Sequence, residues 1–185
     1  MINQEKAEQA VRDLLVALGE DAGRDGLVET PKRVATMYAE LLAGRDTDPS
    51  VHLSKRFPVE HSGLLLEKDI PFYSLCEHHL LPFYGVAHIA YLPGKEVVGL
   101  SKLARTVETF ARRLQLQEQM GEQIADAMMA ELATTGVMVV ITAEHLCMTM
   151  RGVKKPGSKT TTIATRGCFT DDLARQDQVL ALIAR

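Results

Sequence analysis

Two short stretches rich in metal-binding side chains constrain the fold of this chain more than any other feature. They read Cys76-Glu77-His78-His79 and Glu144-His145-Leu146-Cys147. Cysteine thiolate and histidine imidazole are the preferred protein ligands of zinc. Two of the chain's three cysteines and three of its six histidines fall in these windows. A single metal site built from them requires a fold that brings together segments beginning at positions 76 and 144.

The spacing within these stretches predicts three ligands to one metal ion. Cys76 and His79 are three positions apart, so one tight turn can direct both side chains at the same ion, and Cys147 can supply a third ligand. Three protein ligands plus water are typical of catalytic zinc, whereas structural zinc sites use four protein ligands. A single cysteine or histidine is more often an ordinary packed side chain. The clustering favours the metal site, and the long separation argues against a compact zinc finger.

The composition restricts the class of protein. The length of 185 residues suits one domain with a small appendage, and 46% hydrophobic residues predict a real core. No apolar run approaches the ~18 residues that span a membrane, and the N-terminal sequence lacks a signal peptide's apolar region. We therefore expect a cytoplasmic protein, whose cysteines indicate metal binding or catalysis rather than disulfides. A net charge of −3 gives no general reason to bind nucleic acid.

The N-terminal part is predicted to be helical. Apolar residues over 3–18 recur at helical spacing, with Asn3 as the N-cap and Gly19 at the end. Thr30 as an N-cap and Pro31 as the first helical residue predict a second helix that Gly44 ends. Its predicted buried stripe is Val34, Met37, Tyr38, Leu41 and Leu42. With a linker over 46–54, these helices form an N-terminal helical segment (1–55) ahead of a main domain (56–185).

The main domain is predicted to be α+β. Alternation and β-branched runs predict strands over 64–70, 72–75, 85–92, 137–141 and 160–169, whereas helical periodicity predicts helices over 101–114, 117–133 and 173–183. If the strand that starts at Val137 continues to Arg151, then His145, Cys147, Thr149 and Arg151 share one face. The element order favours an antiparallel sheet backed by two helices.

A group of cations marks the start of the helix that begins at Ser101. Lys102 and Arg105 lie within its first turns, and a helix N-terminus presents free N–H groups that favour phosphate. Arg151 adds a planar guanidinium fork suited to phosphate oxygens. Exposed cations on helices are commonplace, so an ordinary solvated helix face remains the alternative.

Taken together, these stretches closely resemble GTP cyclohydrolase I. The resemblance runs from Glu29-Thr30-Pro31-Lys32-Arg33 to Gly167-Cys168-Phe169, and it is densest in Ser74–His79, Gly99–Arg105, Leu116–Gln119, His145–Cys147 and Arg151-Gly152. It implies the tunnelling fold, in which a four-stranded antiparallel sheet carries two helices. Subunits of that fold pair their sheets into a ring around a channel. The family assembles as a decamer of two pentamers with active sites at subunit boundaries.

The resemblance also implies the site and the reaction. Zinc falls on Cys76, His79 and Cys147, and the catalytic residues on His78, His145 and Ser101. Substrate contacts fall on Gln117, Glu118, Lys102, Arg105, Arg151 and, as a further phosphate contact, Arg33. The implied reaction converts GTP to 7,8-dihydroneopterin triphosphate and formate, the first step of tetrahydrofolate and pterin biosynthesis. A carboxylate suits guanine because the ring N–H and amino donors can both face it. Cys168 has no role in the pattern and is interpreted as a buried structural cysteine.

Two other interpretations remain open. A nitrile reductase of the queuosine pathway shares the tunnelling fold but uses its cysteine as a covalent nucleophile without zinc. A zinc-stabilised nucleotide-binding or scaffold protein performs no turnover and predicts a fourth protein ligand, for which the sequence offers no obvious candidate. The pathway served downstream (folate, biopterin or modified tRNA bases) is not specified by these residues.

Overall fold

The computed structural model describes residues 2–60 and 63–185. Its helices are α1 (Gln4–Ala17), α2 (Thr30–Leu41), α3 (Ser50–Leu53), α4 (Leu100–Ala111), α5 (Gln117–Glu131), α6 (Leu146–Thr149) and α7 (Leu173–Ile183). Its strands are β1 (Arg56–Pro58), β2 (Leu65–Cys76), β3 (Pro82–Pro93), β4 (Glu96–Val98), β5 (Leu114–Gln115), β6 (Thr134–His145) and β7 (Lys159–Gly167). The mixed α+β class predicted from the sequence is confirmed. None of the described helices is both long enough and apolar enough to cross a membrane.

The central sheet has five strands in the order β5-β2-β3-β6-β7. Its four long strands pair antiparallel, as predicted. The description of a four-stranded sheet is incomplete, because the two-residue β5 adds a parallel pairing to the end of β2, with Gln115 opposite Cys76. β1 and β4 form a separate two-stranded sheet. The short parallel pairing matters because it fixes the chain just before α5 against the first metal-binding stretch.

Helices α4 and α5 cover one face of the sheet and build the main core. Side chains alternate along each strand, so one face of β3 and β6 contributes Phe83, Ile89, Val139 and Ile141 to this core. The opposite face carries a smaller cluster around Met138, Phe169 and Val179, where α7 packs. The strand ends beside Cys76 therefore border the layer of helices that contains α5.

The N-terminal helices follow the prediction with three corrections. Asn3 caps α1 as expected, because its side chain accepts a hydrogen bond from the backbone N–H of Lys6 at 2.9 Å. Thr30 is the first residue of α2 rather than its N-cap, and Glu29 precedes the helix without a side-chain cap. The predicted linker contains the short helix α3. The stripe on α2 is only partly buried, and Met37 remains 44% exposed.

Two strand predictions were wrong at their ends. The two predicted strands on either side of Pro71 are one strand, β2, with a bulge between Glu67 and Ile70 where Asp69 adopts a positive φ of 59°. Among the described residues, β2 pairs on one side only apart from β5 at its end, so proline's missing N–H costs no ladder bond on the open side. β6 stops at His145, and α6 follows. The predicted shared face of 145, 147, 149 and 151 therefore does not exist.

Candidate metal centre and adjoining cavity

The candidate metal centre is formed by a turn after β2 and by the short helix α6. Cys76 ends β2, and its carbonyl oxygen accepts hydrogen bonds from the backbone N–H groups of His79 (3.3 Å) and Leu80 (2.9 Å). Leu80 has a positive φ of 54°, which closes the turn. One ligand atom from each of Cys76, His79 and Cys147 lies within 4.8 Å of the other two. The fold thus brings together the three ligands that the sequence predicts.

The chemistry of this donor set fits a transition metal. Two thiols and one imidazole are ligands that such ions prefer over hard cations such as magnesium. Burial, together with the neighbouring Cys76 thiol, raises the pKa of Cys147, and the charge of Arg151 opposes this rise. A bound cation reverses such a shift, because a coordinating thiol loses its proton. Within the described residues, no further histidine, cysteine or carboxylate belongs to the cluster, which leaves room for a non-protein ligand.

A cavity of about 410 Å³ adjoins the cluster. Its walls are formed by strand ends and by the first residues of helices, at the end of the sheet where Cys76 lies. The lining residues are Cys76, His78, Gln115, Leu116, Gln117, Glu118, His145, Cys147, Met148 and Thr160. The cavity is therefore lined by two of the candidate metal ligands, by two histidines that can donate or accept protons (His78 and His145), and by the Glu118 carboxylate.

His145 is held by two contacts. It lies opposite Phe83 in the β3–β6 ladder, and the two rings stack with centroids 4.8 Å apart and planes 3° from parallel. Its Nε2 lies 2.8 Å from Oε1 of Gln117. Burial lowers the pKa of His145, and the Glu118 carboxylate acts in the opposite direction. The ring is therefore fixed in place and favours its neutral form.

His78 and Glu118 are exposed, in contrast to His145. His78 follows Glu77 on the turn between two ligands, and its ring lies edge-on to that of His79 with centroids 6.2 Å apart. Glu118 lies in the first turn of α5, where the positive end of the helix dipole favours a carboxylate. Both side chains are free to meet a molecule that enters the cavity.

Arg151 lies at the edge of the metal centre. Its Nη1 donates to Nε2 of His79 at 3.0 Å, although Arg151 is itself exposed. This contact brings a permanent positive charge beside the ligand cluster.

The start of α4 and Arg33, which hold the other predicted ribose and phosphate contacts, lie elsewhere. Ser101, Lys102, Arg105 and Arg33 do not line the cavity beside the metal cluster. The start of α4 lies at the end of the helix remote from β5, which pairs with Cys76. With a rise of about 1.5 Å per residue, the twelve-residue helix is roughly 18 Å long. Arg105 instead borders a second cavity, of about 310 Å³, together with His52 and Thr109.

Sequence reasoning missed four residues of the cavity wall. Gln115, Leu116, Met148 and Thr160 line it but belong to no predicted site. Gln115 and Leu116 follow from the pairing of β5 with the end of β2, a contact between distant segments that no local pattern encodes. The alternation along β7 was the available signal for Thr160, because it shares a face with Thr162 and the buried Ala164.

Comparison with known proteins gives a consistent result over nearly the whole chain. A family model described as GTP cyclohydrolase I matches residues 7–184. The protein named GTP cyclohydrolase 1 of Carboxydothermus hydrogenoformans is 61% identical over 99% of this chain and 96% of its own length. The one of a Geobacillus strain is 60% identical over 98% and 97%. A crystal structure of an archaeosine synthase QueF-Like in the apo form aligns with a TM-score of 0.49, at 16% identity, over 58% of this chain and 97% of that one.

Proposed function

The chain belongs to the GTP cyclohydrolase I family, and on that basis we propose that it is a zinc-dependent enzyme that hydrolyses GTP to 7,8-dihydroneopterin triphosphate and formate. One observation carries the proposal. The ligand atoms of Cys76, His79 and Cys147 lie within 4.8 Å of one another, at a cavity that His78, His145 and Glu118 also line. A metal, two histidines and a carboxylate at one cavity are the groups that hydrolysis of a guanine ring requires.

Each group has a separate task in this reaction. Zinc held by the three ligands would lower the pKa of water toward neutrality and so supply a nucleophile at pH 7. Glu118 accepts hydrogen bonds from the guanine ring N–H and amino group, which orients carbon 8 toward the metal centre. His78 donates a proton to the ring nitrogen beside carbon 8, which makes that carbon more electrophilic. Two hydrolytic steps then release carbon 8 as formate, and the ribose carbons close the new pterin ring.

The phosphate-binding residues are best supplied by a neighbouring subunit. Ser101, Lys102, Arg105 and Arg33 do not line the cavity of their own chain, whereas the family pattern matches them to contacts with the ribose and the triphosphate. A symmetric oligomer resolves this mismatch if the start of α4 from one subunit faces the cavity of the next. We propose the tunnelling-fold decamer, with an N-terminal helical segment over 1–55 and a catalytic domain over 56–185.

Incubation of the purified, zinc-loaded protein with GTP tests the proposed function. We expect stoichiometric formate and, after oxidation, a fluorescent pterin. Zinc binding without either product would favour a nucleotide-binding scaffold. No product from GTP, together with a covalent adduct that forms on Cys76 in metal-free protein, would favour the nitrile reductase class.

Arg151 gives a prediction about anion recognition. Arg151→Ala should weaken GTP binding by about 1.5–3 kcal/mol, the range for a lost hydrogen bond to a charged group, and should leave guanosine binding nearly unchanged. Lys155→Ala removes the same charge from the same exposed loop and serves as the matched control. Titration calorimetry with both ligands and both variants measures the difference. Equal loss for GTP and guanosine would assign Arg151 a role at His79 instead.

Shared active sites give a prediction about mixed oligomers. His78→Ala disables the cavity half of a site, whereas Arg105→Ala disables the cation half. If the halves come from different subunits, coexpression of the two variants should restore about one quarter of wild-type activity, because random mixing leaves that share of symmetric sites intact. The assay uses GTP below the KM of the Arg105→Ala protein. No restoration in oligomers shown by mass spectrometry to be mixed would place both halves in one subunit.

A further inference from the structure

Gln117 is a buried amide at the cavity wall whose hydrogen-bonding capacity is used within the protein. It is the first residue of α5 and only 1% exposed. Its Nε2 lies 2.9 Å from the carbonyl oxygen of Ile141, 3.0 Å from that of Thr160 and 3.1 Å from Oγ1 of Thr162. The side chain thus ties the start of α5 to β6 and β7. An amide so engaged has no donor left for guanine, although the family pattern groups Gln117 with the substrate contacts.

These contacts determine which way the amide faces. A backbone carbonyl oxygen only accepts hydrogen bonds, so the atom between the Ile141 and Thr160 carbonyls must be the amide nitrogen. The opposite atom is therefore Oε1, and it lies 2.8 Å from Nε2 of His145. Because Oε1 also only accepts, Nε2 of His145 must carry the proton in this contact. The neutral ring consequently has its lone pair on Nδ1.

We propose that Gln117 is a positioning residue that holds His145 as the Nε2–H tautomer and leaves Nδ1 as the ring's free proton acceptor. The carbonyl groups of β6 and β7 fix the orientation of the Gln117 amide, and the amide oxygen fixes the tautomer of His145. The Phe83 ring, stacked at a centroid distance of 4.8 Å, fixes the plane of the imidazole. Histidines in functional sites commonly depend on such a partner for tautomer and orientation. The catalytic consequence rests on the proposed GTP hydrolysis, whereas the tautomer itself does not.

The tautomer can be measured directly. In zinc-loaded protein labelled with ¹⁵N-histidine, the His145 signals, assigned by their loss in His145→Asn, should show a protonated Nε2 and an unprotonated Nδ1. Gln117→Met keeps the side-chain length but removes the acceptor, so both tautomers should become populated. Gln117→Glu supplies an acceptor oxygen again and should keep Nε2 protonated, at a cost in stability because its second oxygen faces the carbonyls of Ile141 and Thr160. Gln115→Met is the matched control, because Gln115 is an equally buried amide that bonds to Phe110 and Gln123 instead of a histidine.

Kinetics separate positioning from packing and from substrate contact. Gln117→Met should lower kcat for GTP by about 10- to 100-fold, as expected when a partner that orients a functional histidine is removed, with KM changed little. Gln117→Glu should recover part of kcat. Gln115→Met should lower the melting temperature and leave the His145 signals in place.

The spectra and the kinetics each have an outcome that overturns the proposal. A wild-type spectrum with the proton on Nδ1 contradicts it, whether or not any variant folds. An unchanged His145 tautomer and kcat in folded Gln117→Met reduces Gln117 to a packing residue, and a raised KM at constant kcat makes it a substrate contact. If Gln117→Met does not fold, Gln117→Glu must still show the Nε2–H form. Wild-type protein that fails to convert GTP contradicts the proposed function alone, because the spectra still report the tautomer.

Discussion

His78→Ala should reduce GTP turnover by about 10²- to 10⁴-fold, the contribution of a positioned general acid–base group, while the protein keeps its zinc. The separation is possible because His78 lies beside a metal ligand without belonging to the ligand cluster. Its side chain is exposed and lines the cavity, so its removal leaves no void in the core. GTP binding should change much less, since the proposed substrate contacts, Glu118 and the cations, remain in the variant.

The alternative for His78 is a structural role in the turn after β2. In that case the variant would melt at a lower temperature, and turnover per folded subunit would match wild type. Zinc content, melting temperature, GTP affinity and turnover measured on one preparation distinguish the two roles. Glu77→Ala is the matched control, because Glu77 is the exposed neighbour in the same turn and does not line the cavity. Full turnover with normal zinc would refute acid–base catalysis by His78.

The sequence predicted those parts of the fold that have a long, regular pattern. The final helix over 173–183 has the predicted bounds, and α5 starts at Gln117 as predicted. The prediction failed at Leu146–Thr149, where four residues are too few for a period of two to be told from one helical turn. It also split β2 at Pro71, because a proline breaks a strand only where a neighbouring strand needs its N–H, and local sequence does not show which side of a strand is open.

The candidate site was predictable in its chemistry and less so in its geometry. Cysteine and histidine in two windows predicted, from residue type and spacing, the three candidate ligands that the fold brings together. The engagement of Gln117 was not predictable, since its partners Ile141, Thr160 and Thr162 come from two strands that only the folded sheet brings beside α5. The location of Lys102 and Arg105 away from the cavity is likewise a property of the fold, because local spacing does not say where a helix start lies relative to a distant turn.

Cys147→Ser should abolish the metal centre and lower GTP turnover by more than about 100-fold, because metal binding lowers the pKa of water toward neutrality and so supplies the nucleophile at pH 7. A serine hydroxyl stays protonated at neutral pH and is a poor substitute for a thiolate, so zinc content should fall with activity. Serine has nearly the same size and shape as cysteine, so the fold should survive. Normal zinc and full turnover in this variant would remove Cys147 from the ligand set.

Removal of zinc from the wild-type protein gives an independent test of the same geometry. The Cys76 and Cys147 sulfurs lie within 4.8 Å of each other. Once the metal ion is removed, no cation lies between these two sulfurs. Under oxidation they should form a disulfide, which requires only a small approach of α6 toward the end of β2. Cys168 is the internal control, because it packs in the smaller cluster on the other face of the sheet and should remain alkylatable as a free thiol. Mass spectrometry that finds all three thiols free after chelation and oxidation would contradict the proximity of Cys76 and Cys147, and with it the metal centre on which the proposed hydrolysis depends.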